Sequence, residues 1–176
     1  MTLEEFLAWE RQQDLRYEFD GIQPVAMTGG TVAHSVIASN VFQALDARLR
    51  DPCRVFRGDL KVIAQSQVRY PDTIVTCAPV ADDADVVPEP VVLFEVLSAS
   101  TRVVDQTLKA AEYLATASVQ HYVMLEQRRA EAIVLSRTTD GSQQVEVSGV
   151  DAVLRLPALG IEVPMAELYR RVQLLT

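Results

Sequence analysis

The stretch from Pro90 to Ser98, PVVLFEVLS, constrains the fold of this chain more than any other part of the sequence. It is short, rich in β-branched residues and bounded by residues that interrupt strands. Such a run predicts a strand buried on both faces, as in sheets covered by helices on two sides. A carboxylate, Glu95, lies inside it. Burying an ionised carboxylate costs several kcal/mol unless a cation, a metal or hydrogen-bond donors meet it, so Glu95 predicts a partner.

Length and composition predict one domain, residues 1–176, with a sizeable core, because the chain has 176 residues of which 49% are apolar. No apolar run approaches the ~20 residues that cross a bilayer. The start, MTLEEFLAWERQQD, lacks the basic and apolar regions of a signal peptide, which predicts a cytoplasmic protein. Cys53 and Cys77 lack the paired spacing of a zinc site. In a reducing compartment they are expected to be buried thiols without a role.

The net charge of -8 argues against a protein whose whole surface contacts nucleic acid. The charge is nevertheless uneven along the chain. Basic residues cluster between positions 48 and 69, and acidic residues follow in the next loop. The basic residues are Arg48, Arg50, Arg54, Arg57, Lys61 and Arg69, and the acidic ones are Asp82, Asp83, Asp85 and Glu89. The basic cluster indicates either a solvated helix end and strand edge or a strip that faces DNA.

Hydrophobic periodicity and turn signals predict a mixed α/β fold. Helices are expected from Thr2 to near Asp14, from about Thr31 to Arg50, from Thr101 to Ala117 and near Met165 to Val172. Strands are expected at 16–19, 22–27, 53–57, 60–64, 72–77 and 91–97, and in HYVMLE, AIVLSR and QQVEVS. Asp20-Gly21 and Asp140-Gly141 predict hairpin turns.

Two carboxylates lie on strands that neighbour each other in the sequence. Asp72 follows Pro71 at the start of one strand, and Glu95 lies in the next. Carboxylates on adjacent strands can converge on one divalent cation, because Mg²⁺ prefers oxygen ligands and keeps several waters. The pair therefore indicates a metal site.

The helix after Glu95 carries Asp105, Lys109 and Tyr113 at spacings of four residues. Lys109 is one of only two lysines in a chain with fourteen arginines. This bias suggests that position 109 uses the compact ammonium group rather than charge alone.

The motifs around these residues, in their order along the chain, resemble those of the PD-(D/E)XK nuclease superfamily and, within it, of the Uma2 family of restriction-endonuclease-like proteins. The matching pieces are YEFDG at 17–21, Met27, AHS at 33–35, YPD at 70–72, FEVLSAST at 94–101, and Asp105, Lys109 and Tyr113. They span most of the chain, from Tyr17 to about Glu126. The resemblance implies a restriction-endonuclease-like fold, in which a central mixed β-sheet is flanked by helices.

The resemblance also implies a site. Asp72 and Glu95 match the family's metal ligands for Mg²⁺ or Mn²⁺, and Glu18 in YEFDG matches a third carboxylate. The superfamily's lysine normally follows the glutamate by two residues, where this chain has Leu97, so Lys109 is the matching candidate. The implied activity is metal-dependent endonucleolytic hydrolysis of phosphodiester bonds in DNA. Asp72, Glu95 and Lys109 are the catalytic residues that the resemblance implies, and a homodimer is expected, so that two sites can address two strands.

Simpler interpretations remain open at each position. Glu95 could be a structural carboxylate paired with an arginine or lysine, and Lys109 could form only a helical ion pair with Asp105. Glu18 could be a surface acid beside a hairpin, and for His34 a capping or core role is favoured. The whole chain could instead be a nucleic-acid-binding or regulatory module that does not cleave, or a structural partner protein.

Overall fold

The computed structural model describes residues 1–27, 29–98 and 102–175. The helices are α1 (Leu3–Glu10), α2 (Val32–Asp46), α3 (Arg102–Val104), α4 (Ala110–Ala115) and α5 (Met165–Leu168). A π-helical segment, Asp105–Lys109, joins α3 to α4, and the three pieces together are called the third helix. The strands are β1 (Tyr17–Phe19), β2 (Pro24–Ala26), β3 (Arg54–Arg57), β4 (Val62–Ala64), β5 (Gln67–Arg69), β6 (Thr73–Thr76), β7 (Pro90–Val96), β8 (His121–Leu125), β9 (Glu131–Thr138), β10 (Gly141–Ser148), β11 (Val153–Leu156) and β12 (Ile161–Pro164).

The main sheet has six strands in the order β10-β9-β8-β7-β6-β3. It is mixed, because β7 and β8 run parallel whereas the other neighbours pair antiparallel. Helix α2 packs on one face and the third helix on the other. This arrangement confirms the predicted central mixed sheet flanked by helices.

Strand β7 is buried on both faces, as its composition predicts. Val92, Phe94 and Val96 face the core beneath α2. Leu93 and Leu97 face the opposite core, beneath α4. Because side chains alternate along a strand, Glu95 shares the second face with Leu93 and Leu97 and is directed toward the third helix.

A second sheet, β2-β1-β5-β4, lies beside the main one and carries Glu18 on β1 and Arg69 on β5. Helix α1 covers it, with the Phe6 ring stacked on Phe19 at 4.8 Å between centroids. The predicted capping box at Thr2 and Glu5 is present at the start of α1. Both predicted hairpin turns also form, since β1 pairs with β2 and β9 with β10.

Several elements differ from the sequence prediction. Strand β5 and the β11–β12 hairpin are absent from it, because these short strands lack the Asp-Gly turn signal that marks the two predicted hairpins. Helix α1 ends at Glu10 and α5 at Leu168, earlier than predicted. The predicted start of the third helix at Thr101 and the end of the FEVLSAST stretch, residues 99–101, lie outside the described residues.

The prediction for the two cysteines is wrong. Cys53 and Cys77 form a disulfide, with their Cα atoms 3.8 Å apart. The register of β3 against β6 explains the pairing, since Arg54 lies opposite Thr76 and the preceding and following residues therefore meet. Nothing in the local sequence reveals this contact, because the two residues are separated by 24 positions.

The described part of the chain contains no helix that combines the length and apolar character required to cross a membrane.

Candidate active site

The four residues expected at the site come from four different elements and line one cavity of about 440 Å³. Glu18 lies in β1, Asp72 immediately precedes β6, Glu95 lies near the end of β7, and Lys109 ends the π-helical segment. Asp105, at the start of that segment, lines the same cavity. The fold therefore brings together residues that are up to 91 positions apart in the sequence, from 18 to 109.

Lys109 lies among three carboxylates. Its Nζ atom is 2.9 Å from Glu18 Oε1, 3.0 Å from Glu95 Oε1 and 3.2 Å from Asp105 Oδ1. The Lys109 side chain is only 7% exposed, and those of Glu95 and Asp105 are no more exposed. Lys109 is thus the partner that the buried position of Glu95 requires.

Negative charge exceeds positive charge in this cluster, because three carboxylates share one ammonium. Burial alone would lower the pKa of Lys109, but the surrounding carboxylates, Glu95 foremost, raise it well above its usual value. Burial, together with the charges of Asp72, Asp105 and Glu18, also raises the pKa of Glu95 well above the ordinary carboxyl range, although Lys109 opposes this. The ammonium therefore stays charged, and its surroundings disfavour the ionised form of Glu95.

The π-helical segment shapes this cluster. It begins and ends with the buried residues Asp105 and Lys109, and short π segments inside helices occur frequently at functional sites. The Tyr122 hydroxyl donates to the Asp105 carbonyl at 3.2 Å. The buried Oδ1 of Asp105 has no hydrogen-bond partner among the described residues, although it lies near Lys109. Tyr113, one helical turn beyond Lys109, donates to Glu95 Oε1 at 3.3 Å.

Asp72 occupies another part of the cavity wall. Its Oδ2 atom accepts a hydrogen bond from the Val96 amide at 2.7 Å and lies 3.1 Å from His34 Nε2. The hydrogen bond to Asp72 raises the pKa of His34. His34 was expected to cap a helix or fill the core. The structure instead places it at the site, and its appearance in the AHS motif is the sequence signal for that position.

Glu18 also belongs to a second ion-pair network, in which Arg69 links it to Glu112. Arg69 Nη1 donates to Glu18 Oε2 at 3.1 Å, and the guanidinium also contacts both carboxylate oxygens of Glu112 at 2.7 Å. The Tyr70 amide donates to Glu18 Oε1 at 3.4 Å. Sequence reasoning gave no role in the site to Arg69 or Glu112. No local pattern pairs them, because they lie 43 positions apart.

The simpler interpretations of Glu95, Lys109 and Glu18 agree only in part with the geometry. Glu95 is paired with a lysine, as its structural interpretation required, and Lys109 does form the ion pair with Asp105. Lys109 also reaches Glu18 and Glu95, so the local helical pair is only part of its environment. Glu18 lies at the cavity rather than on an isolated surface hairpin.

The oxygen donors of the cavity suit a hard divalent cation such as Mg²⁺. Among residues 1–27, 29–98 and 102–175, no group of three acidic, histidine or cysteine side chains stands close enough to hold a metal by itself. Mg²⁺ is commonly bound by one or two carboxylates and retained waters. Asp72 and Glu95 are the carboxylates of this cavity that could hold such an ion, and the excess of negative charge around Lys109 would favour an added cation.

The basic cluster between positions 48 and 69 divides into two groups. Lys61 and Arg69 are buried, Lys61 in contact with Glu10 and Asp85. Arg48 pairs with Glu167 at 2.7 Å. The other members have no carboxylate partner among the described residues: Arg50, Arg54 and Arg57. Only part of the cluster is therefore available to a ligand.

Comparisons with known proteins agree with this architecture. The family model described as "Uma2: Putative restriction endonuclease" matches residues 3–166. An uncharacterised protein of Synechocystis sp. is 28% identical over 174 residues, which cover 97% of this chain and 92% of that protein. A crystal structure from Anabaena variabilis, described as a putative nuclease belonging to DUF820, has a TM-score of 0.75 at 18% identity. It covers 96% of this chain and 97% of that one, which establishes the shared fold.

Proposed function

The chain belongs to the Uma2 family, and on that premise we propose that it is a metal-dependent endonuclease that hydrolyses phosphodiester bonds in DNA. The observation that supports this best is the Lys109 ammonium, buried among Glu18, Glu95 and Asp105 in the cavity that Asp72 also lines. A homodimer would present two such sites to the two strands of a duplex.

In this proposal Asp72 and Glu95 hold Mg²⁺ or Mn²⁺. Glu18 is the third predicted ligand, since it lines the same cavity. Its Oε2 atom already accepts a hydrogen bond from Arg69, and its Oε1 atom accepts one from the Tyr70 amide and contacts Lys109. When bound, the ion would polarise a phosphoryl oxygen and lower the pKa of a bound water.

Residues of the chain itself would stabilise charge in the transition state and orient the carboxylates. Lys109 carries a permanent positive charge that would stabilise the negative charge developing on the phosphate. Its position is set before substrate arrives, because three carboxylates fix its ammonium group. Arg69 orients Glu18, and His34 together with the Val96 amide orients Asp72. These contacts limit the reorganisation that the site needs during reaction.

Plasmid cleavage tests this proposal. Supercoiled DNA is incubated with and without Mn²⁺, using the wild type, Glu95→Ala, Lys109→Met and Lys61→Met. Lys61 is the matched control, because it is the other lysine of the chain, is equally buried and lies 2.6 Å from Glu10 rather than at the cavity. We expect metal-dependent cleavage by the wild type and by Lys61→Met, and loss of cleavage in the other two variants. Absence of wild-type cleavage, or full activity of folded Glu95→Ala, contradicts the proposal.

One observation favours a second candidate. Lys109 already neutralises part of the carboxylate cluster without a metal, which suits a nucleic-acid-binding module that keeps the fold but does not cleave. Calorimetric titration with Mg²⁺ and a gel shift at low salt separate the two. DNA binding without metal binding would favour this candidate over the nuclease.

A further inference from the structure

A second cavity, of about 490 Å³, adjoins the candidate active site. The two share a wall made of Gly30, Thr31, His34 and Asp72. The rest of the second cavity is mainly polar and comes from α2, the end of β3 and the turn that follows it: Ser35, Ala38, Ser39, Arg57 and Gly58. A group bound there would lie directly beside Asp72.

Arg57 is the cation of this second cavity. Its Nη2 atom donates to Ser39 Oγ at 3.0 Å, and its guanidinium lies over the Phe42 ring at 5.2 Å from the centroid. No acidic side chain of the described residues forms an ion pair with Arg57, in contrast to Arg48 and Arg69. The contacts with Ser39 and Phe42 orient the guanidinium without neutralising it, so its charge is available to an anion.

The turn after β3 holds Arg57 close to Asp72. A Cβ atom at Gly58 would lie 3.1 Å from the Pro71 carbonyl oxygen and 3.3 Å from Asp72 Cα. This close approach leaves little room for a side chain at position 58. The backbone one residue after Arg57 therefore packs directly against Asp72.

We propose that the second cavity binds a phosphate group of the DNA strand next to the bond that is cleaved, with Arg57 and the Ser39 and Ser35 hydroxyls as its ligands. This inference rests on the proposed function. Guanidinium and hydroxyl groups are the usual donors to phosphate oxygens in DNA complexes. The only acidic residue of the lining is Asp72, and its Oδ2 atom is already engaged by His34 and the Val96 amide.

Arg54 provides a matched control for Arg57. Both arginines lie in β3, both are exposed, and both stack on an aromatic ring, since the Arg54 guanidinium lies 4.9 Å from the Phe56 centroid. Because residues three apart in a strand point to opposite faces, Arg54 is on the other side of the sheet from Arg57. It lines neither of the two cavities.

The test measures binding of a fluorescently labelled duplex in EDTA by anisotropy at several salt concentrations, with thermal melts to verify folding. Arg57→Ala should weaken binding by about tenfold, a typical loss for a charge-assisted hydrogen bond. It should also reduce the salt slope by about one, as expected when one phosphate contact is removed. Arg57→Lys should recover part of the affinity, and Arg54→Ala should bind as the wild type does.

The outcomes separate this inference from the function on which it rests. If the wild type binds and cleaves DNA but Arg57→Ala has unchanged affinity and salt slope, the second cavity does not hold a phosphate and the nuclease proposal stands. Equal losses in Arg54→Ala and Arg57→Ala also overturn the inference, because they indicate a diffuse charge effect. If the wild type neither binds nor cleaves DNA, the proposed function fails and this inference fails with it.

Discussion

Replacing Lys109 with methionine should strongly destabilise the protein, because it removes the only ammonium from the three-carboxylate cluster. The Nζ atom lies 2.9, 3.0 and 3.2 Å from its three carboxylate partners. At an effective dielectric constant of about 20, each such contact corresponds to roughly 5 kcal/mol of gross attraction. Desolvation of the buried charges offsets much of this, and removing one partner from a buried ion pair typically costs about 3–5 kcal/mol.

The loss of stability in Lys109→Met should depend on pH. Lys109 has a folded-state pKa raised above its usual value of 10.5, so it stays charged in the wild type throughout pH 5–8. In Lys109→Met the buried carboxylates lose their cation. The folded-state pKa of Glu95, which is already raised, then rises further, and the penalty for ionising Glu95 grows as the pH increases above the ordinary carboxyl value. We expect a loss near 3 kcal/mol at pH 8 and a smaller loss at pH 5.

Urea denaturation at both pH values, without divalent metal, measures these losses. Lys61→Met serves as a control for removing a buried lysine, since Lys61 contacts Glu10 and Asp85 away from the cavity. The conclusion that Lys109 compensates the buried carboxylates would be refuted by either of two results. One is a loss of unfolding free energy in Lys109→Met below about 1 kcal/mol at pH 8, and the other is a loss that is equal at pH 5 and pH 8.

Two further predictions concern Glu95 and the disulfide. Without metal, Glu95→Gln should leave the melting temperature at pH 8 unchanged or raise it, because burial and the nearby carboxylates disfavour the ionised form of Glu95 and raise its pKa. A clear drop in melting temperature would instead mean that the ion pair with Lys109 outweighs the repulsion. The free energy of unfolding of the double variant Cys53→Ala, Cys77→Ala should be about 3 kcal/mol lower than that of the wild type, as estimated for a loop closed across 24 positions. Urea titrations of both proteins, with and without dithiothreitol, measure this, and equal midpoints under all conditions would contradict it.

The sequence by itself determined the features that short windows encode. The apolar run of β7 predicted a strand covered on two faces, and the Thr2–Glu5 capping box and the two Asp-Gly turns formed where expected. Glu95 likewise predicted a partner, because burying an ionised carboxylate in a strand that is covered on both faces costs free energy. Such signals depend only on a residue and its near neighbours in the sequence, so they predict local structure without knowledge of the fold.

The tertiary structure decided which residues meet. Docking the third helix across β7 joins Lys109 to Glu95, and the π-helical turn brings Asp105 into the same cluster. The register between β3 and β6 pairs the cysteines, and packing of β5 against α4 forms the Arg69–Glu112 contact. These contacts join positions 4 to 43 apart. Most of them depend on how whole elements pack rather than on local propensity, so the spacing of the individual residues could not reveal them.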